Sequence, residues 1–537
     1  MIKSLARLWV LTLLLGWSFD YLFWDKDPGI SFAIFILLIV AGGVGLGLLE
    51  KRPPARKTLI LFLPLGFFAL MSFWRLEPFT TFINILLSLV FLSILAITYL
   101  SGGWLRYGLA DYGWRLLKLA GSAFSKPVIA WQQRKVATNP ADEAEDASTS
   151  GKSSLGKQKK KVIAVLRGLL LALPVVLVFS LLLSSADPIF AQGFEDLFQF
   201  LRIENLPENL FRLIYILVIG YFLAGIYLHA LTSSRDEKLI GVEKSLLSRF
   251  LGFTEAAIVL SSVNLLFAAF VGVQFRYFFG GQGNIHLDGY TYSEYARRGF
   301  SELVLVAFFT LLLFLALSTV AKRATHGQRT AFSALGATLT ILVGVILVSA
   351  YQRLLLYEAA YGFSRLRTYT HIFMLWLGVL LAVLLVLELT GRLRTFTLAA
   401  IVVAVGFGVT LNLLPVDGFI ARQNVLRAQA GEELDSSYLT SLSLDSVHGL
   451  WEMYNDPAVD EGVREQVGGI LACQSVLNPV STRPWQSYNL SRSRAERLFE
   501  AEQAELERYN AHQNASGTWV VTVNQQVQTC RTDLWID

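Results

Sequence analysis

Residues 30–49 read ISFAIFILLIVAGGVGLGLL, 20 positions without a single charge. A helix rises about 1.5 Å per residue, so about 20 such residues cross the roughly 30 Å hydrocarbon core of a bilayer. Helix is the expected form, because backbone polar groups in lipid must be satisfied within their own segment. The run Gly42-Gly43-Val44-Gly45-Leu46-Gly47 superficially resembles a phosphate loop. Inside an apolar span it reads instead as a face for close helix packing, with Gly43 and Gly47 one turn apart.

Ten further stretches of this kind are found at Leu8–Trp24, Leu59–Trp74, Phe79–Tyr99, Val162–Leu183, Phe211–Leu231, Thr254–Phe275, Ser301–Val320, Ala331–Leu355, Tyr369–Leu389 and Thr395–Leu414. The chain therefore reads as an all-α integral membrane protein. It is a polytopic bundle of about 11 transmembrane helices with a small, mostly helical C-terminal extracytoplasmic domain. Composition agrees: mean hydropathy is +0.50, 54% of residues are hydrophobic and only 16% are charged, against about 25% charged in soluble domains. Lys3 and Arg7 ahead of the first span resemble a signal peptide, but Trp17, Phe19, Asp20, Tyr21 and Trp24 follow where small residues would mark cleavage. The span reads as an uncleaved anchor.

Lysine and arginine set the orientation. Alternate loops, with the first residues, hold 27 of the 46 basic residues, the opposite loops hold 10 and the tail holds 9. The N-terminus is expected to be cytoplasmic and the tail extracytoplasmic. Both cysteines, Cys473 and Cys530, fall in that tail, and an oxidising compartment would join them as a disulfide. Closing a loop of roughly 58 residues is worth about 4 kcal/mol in chain-entropy terms. The sequence pI near 9.0 reflects topology-setting loops that face anionic headgroups, so no nucleic-acid partner is implied.

Four blocks follow: a four-span block at 1–100, a cytoplasmic segment at 101–161, a seven-span block at 162–414 and the tail at 415–537. Trp104, Leu105, Leu109, Trp114, Leu116, Leu117 and Leu119, interleaved with Arg106, Arg115 and Lys118, predict a helix lying in the membrane interface. Thr138–Lys161 is small, polar and charged, the composition of a disordered linker. In the tail, helices are expected at Phe419–Ala430, Ser436–Leu442, Ser446–Tyr454 and Ser491–Ala511, and a strand at Thr518–Val523.

Signatures of catalysis are missing. The six histidines are scattered without metal-ligand spacing, and no nucleophile elbow, Walker loop or kinase signature occurs. No catalytic residue, metal or cofactor is assigned. Of the polar residues within spans, Asn264 is the most central and is read as bonding to a neighbouring helix. The informative segments are two outer loops, which carry Arg276, Arg297, Arg298, Arg353, Arg365 and Arg367 against the topogenic rule. A guanidinium fork suits carboxylates and phosphates. The candidate ligand-binding set is Arg297, Arg298, Arg353, Arg365, Tyr295, Tyr357 and Tyr361, with Glu302 and Glu358. The competing reading is an aromatic belt with internal Arg–carboxylate pairs.

The same segments, YSEYARRGFSELV (292–304), RLLLYEAAYGFSRLRTYTHIFMLWL (353–377) and ARQNVLRAQAGEELDSSYLTSLSLDSV (421–447), resemble the bacterial multi-pass membrane family named domain of unknown function 4173. The resemblance implies a bacterial cytoplasmic-membrane protein and carries no catalytic residues. The leading function is a non-enzymatic envelope sensor, binding or scaffold protein with an outward Arg/Tyr site for an anionic lipid or envelope precursor. The alternatives are a secondary transporter or lipid-linked solute permease and, third, a membrane enzyme of envelope biogenesis.

Overall fold

The computed structural model describes residues 5–138, 206–235, 250–278 and 300–530, with isolated positions at 179, 183 and 239. Ten helices among them are long and apolar enough to cross a membrane, at the sites of ten of the expected spans. The expected span Val162–Leu183 falls outside the described residues apart from positions 179 and 183, as does the linker beyond Thr138. The chain is an all-α polytopic membrane protein. Its helices present apolar side chains outward, Leu63 at 79% exposure and Leu265 at 74% among them, the pattern of a bundle solvated by lipid.

Contacts group the chain into two compact units, 21–121 with 226–537 and 4–20 with 122–225, whose boundaries cut through helices. In the smaller unit, α1 (Leu5–Phe23) packs on α6 (Leu206–Thr232). Gly16 allows the approach, since a Cβ there would stand 2.5 Å from the Ile216 carbonyl oxygen. Arg212 grips Asp20 with both arms of its fork at 2.9 and 2.6 Å, and the Tyr215 hydroxyl donates to the same carboxylate.

The larger unit holds α2 (Ile30–Leu49), α3 (Phe62–Trp74, entered by a 3-10 turn at Arg56–Leu61), α4 (Pro78–Thr98) and the first part of α5 (Leu109–Thr138). Beyond the smaller unit come α7 (Phe253–Phe278), α8 (Phe300–Val320), α9 (His326–Tyr361), α10 (Arg365–Leu389) and α11 (Phe396–Leu413). Helix α9 packs against α7, α8 and α10, and α11 joins α10 to α4. Buried polar groups tie these helices together. The Asn84 and Asn412 amides bond reciprocally at 3.0 and 2.6 Å, the Asn264 amide donates to the Leu335 carbonyl at 3.0 Å, and the Ser333 hydroxyl donates to Glu388 at 2.6 Å. Gly43 lies against the Tyr227 ring and Gly47 against the Tyr99 hydroxyl, as a packing face requires. The surface of α5 carries exposed Leu109, Trp114, Leu117, Phe124 and Trp131, with the Arg115 guanidinium 4.2 Å over the Tyr107 ring.

The tail comprises α12 (Val416–Gln429), α13 (Ser436–Thr440), α14 (Val447–Tyr454), α15 (Glu461–Leu477), α16 (Leu490–Ala501), α17 (Gln503–Glu507) and an antiparallel sheet β1-β2-β3 (His512–Gln513, Trp519–Val523, Gln526–Thr529). Helix α15 is its centre, with Val467, Ile470, Leu471 and Cys473 fully buried. Gly468 and Gly469 make room there: a Cβ would meet the Tyr509 hydroxyl at 1.9 Å and a Val523 methyl at 2.3 Å. This helix and the strands β1 and β3 are additions to the elements expected from sequence. The expected long helix Ser491–Ala511 is broken at Glu502 into α16 and α17, and the chain then turns at Asn510, whose φ is 47°. Cys473 and Cys530 are joined by a disulfide with Cα atoms 5.2 Å apart. The tail core is continuous with the ends of α10 and α11 through Ile372, Leu411 and Val416.

Candidate functional site

Among the described residues, three turns between bundle helices hydrogen-bond to the tail. At the first, the Ile30 amide donates to the Tyr488 carbonyl at 2.9 Å, and Gly29 lies so close to Ser487 that a Cβ would stand 2.6 Å from its carbonyl carbon. At the second, Asp445 accepts from the Leu76 and Glu77 amides at 3.0 and 2.9 Å and from the Ser491 hydroxyl. Glu77 turns its own carboxylate onto the Phe79 and Thr80 amides and caps α4. Burial outweighs these hydrogen bonds and holds the Asp445 carboxyl above its ordinary range.

The third junction is the α9–α10 turn, where the sequence concentrates arginine and tyrosine. Gly362 ends α9 at φ 77°, a conformation that favours glycine. Asn424 of α12 bonds both the amide and the carbonyl of Phe363 at 2.9 Å. Arg427 donates to the Ala359 carbonyl at 2.9 Å. Arg367 donates to the Tyr361 and Gly362 carbonyls at 3.1 and 2.5 Å and stacks 4.1 Å over the Tyr357 ring. These cations meet the carbonyl end of α9, where the helix dipole favours positive charge. Arg365 engages fully buried Asp417 bidentately at 2.8 and 2.7 Å, and Asp417 also accepts from the Ser443 amide at 2.7 Å. The Arg365 amide donates to the Tyr438 hydroxyl at 2.8 Å. Burial pushes that phenol up to about 12.

The structure thus brings Tyr357, Tyr361, Glu358 and Arg365 together around one turn. Glu358 is buried with its carboxylate 3.1 Å from His371 Nδ1, Arg353 is buried on α9, and Tyr361 is half exposed. Glu302 stands apart in the first turn of α8, accepting from the Ser301 hydroxyl at 2.9 Å. Arg297, Arg298 and Tyr295 lie outside the described residues. Arg365, expected as a ligand-binding residue, is instead filled from within, and its partner Asp417 lies 52 residues away.

A different set of arginines surrounds open space. A cleft of about 970 Å³ lies where α11 hands over to the tail, between α12, α14 and α16. Arg75 of the α3–α4 turn, Arg422 of α12, and Arg494 and Arg497 of α16 line it. The Arg75 fork holds the Asn412 carbonyl at 3.0 and 2.6 Å, and burial with nearby Arg494 holds its pKa below the ordinary value. Arg494 lies 5.5 Å over the Trp74 ring. Among the described residues, Arg422, Arg494 and Arg497 form no ion pair with a carboxylate. Sequence reasoning passed over them because they sit in the tail, though Arg494 and Arg497 share a helical face at i, i+3. No three histidine, cysteine or acidic residues among the described ones could hold a metal ion.

The family described as Domain of unknown function (DUF4153) matches residues 62–453. That corrects the number 4173 while covering every segment that suggested it. No curated protein and no solved structure matches the chain.

Proposed function

This chain belongs to the DUF4153 family, and on that footing we propose that it is a bacterial cytoplasmic-membrane protein that binds an anionic group at the junction of bundle and tail. In this reading the N-terminus is cytoplasmic and the tail extracytoplasmic, as the basic loops and the tail disulfide favour. The protein acts as a sensor or scaffold of the envelope rather than as an enzyme.

The observation that carries the reading is the cleft with Arg422, Arg494 and Arg497 around it, each without a carboxylate partner among the described residues. Forked cations beside a cavity of ligand size are suited to a phosphate or carboxylate. Leu414, next to the end of one span, is part of the lining, and Arg494 lies over Trp74, which ends another; span ends are where headgroups reside. The bonds of Asn84, Asn412, Asn264 and Ser333 between helices favour binding over transport, because these intramembrane polar groups hold the bundle together.

The test is native mass spectrometry of the full chain taken from vesicles containing phosphatidylglycerol and phosphatidylethanolamine. Wild type should retain bound phospholipid, and the triple substitution Arg422→Gln, Arg494→Gln, Arg497→Gln should release it. Equal retention by both removes the reading. Alkaline-phosphatase and green-fluorescent-protein fusions after Asp537 test the orientation: phosphatase activity without fluorescence is expected, and the reverse overturns it.

A further inference from the structure

The cleft is not uniformly basic. Besides the arginines, Glu452 of α14 and Asp456 of the turn after it line the same cleft. Glu452 is exposed, and its ion-pair neighbour is His448 on the preceding turn at 3.4 Å. Asp456 accepts from the Ala458 amide at 2.9 Å. No described ion pair links either carboxylate to Arg422, Arg494 or Arg497, so the two charge sets face one space without neutralising each other. The lining also holds apolar Phe419, Leu426, Met453 and Leu498. A simple anion would satisfy the arginines and leave two carboxylates beside it, a juxtaposition that costs affinity.

Resting on the anion reading above, we propose that the ligand is a zwitterionic phosphate ester, a phosphate with a primary ammonium a few bonds away. The phosphate lies against Arg422, Arg494 and Arg497, where forked N–H donors match its oxygens. The ammonium points to Glu452 and Asp456. The apolar lining accepts the carbon chain between the two charges and the start of whatever it carries. A volume of about 970 Å³ exceeds the need of the small ester alone and suits a headgroup with its glycerol attached. Arg75 and Asp445 also line the cleft and are occupied by the Asn412 carbonyl and by the Leu76, Glu77 and Ser491 donors, so they hold the site's shape.

The experiment measures lipid retained by the full chain from vesicles holding equal amounts of phosphatidylethanolamine, phosphatidylglycerol and phosphatidylcholine. These share the phosphate and differ in the group beyond it. Retention of phosphatidylethanolamine over each of the others by about tenfold is expected, the scale of one charge-assisted contact. Glu452→Gln with Asp456→Asn should erase the preference while total retention persists. Soluble phosphoethanolamine that competes where glycerol phosphate does not assigns recognition to the free ester. Undiminished retention of the lipid alone assigns the source to the bilayer. Equal retention of all three lipids by wild type, abolished by the arginine substitutions, overturns this inference and leaves the anion reading standing. Retention that the arginine substitutions do not change overturns both. The substituted side chains are exposed, and a protease-resistant tail in each variant shows that folding is intact.

Discussion

The α9–α10 turn and the cleft between α12, α14 and α16 are both rich in arginine, yet they do different work. At the turn, Arg365 meets Asp417, and Arg367 and Arg427 meet the carbonyl end of α9. In the cleft, Arg422, Arg494 and Arg497 have no described carboxylate partner and border open space. The difference teaches that arginine against the topogenic rule marks a structural demand before it marks a ligand. A guanidinium near lipid must have a partner or water; at the turn Arg365 finds it in the tail and Arg367 at the carbonyl end of α9. The arginines suited to a ligand are those whose cationic demand the protein leaves open.

The largest expected effect lies at the turn. Asp417→Ala would leave the largely buried Arg365 without its counter-ion and the Ser443 amide without its acceptor. Breaking such a pair costs about 3–5 kcal/mol. Thermal unfolding of the tail, followed by protease release, should move down accordingly; an unchanged midpoint would show that the turn does not hold the tail.

Gly362→Ala should cost about 1–3 kcal/mol, from a positive φ and from crowding against Asn424 and the flexible end of Arg427. The same unfolding assay checks it. A cost equal to that of Gly431→Ala, at φ 97° with nothing near its would-be Cβ, would mean that crowding at the turn contributes nothing.

A smaller, pH-dependent effect belongs to Asp445. Its folded pKa is raised by burial, so between the unfolded and folded values the folded state holds the extra proton. Stability from this group is therefore greatest at low pH and declines as pH rises through that window. The wild-type profile minus that of Asp445→Asn should fall with rising pH across the acid range. A difference that rises instead would show that the hydrogen bonds from Leu76, Glu77 and Ser491 outweigh burial.

Much of the bundle was legible because lipid imposes one rule on every span, and a run such as residues 30–49 admits no other reading. The tail was less so. Helix α15 hides behind Gly468-Gly469, which argue against helix locally but are required by Tyr509 and Val523 in the fold. The site was legible only by residue type. The sequence set Glu302 and Glu358 beside the outer arginines, whereas Arg365 found Asp417, far along the chain and in another element. Arg422 and the Arg494–Arg497 pair are separated by about 70 positions, and only the fold of the tail brings them to the lining of one cleft.

The contrast between the two arginine groups is tested most directly by measuring phospholipid retention and tail protease resistance together in two variants. One is Asp417→Ala, the other Arg494→Gln with Arg497→Gln. A crossed result is expected: Asp417→Ala loses protease resistance, while the double arginine variant keeps it and loses bound lipid. If the double variant keeps its lipid, or if its tail loosens as much as that of Asp417→Ala, the cleft arginines are structural and the distinction collapses.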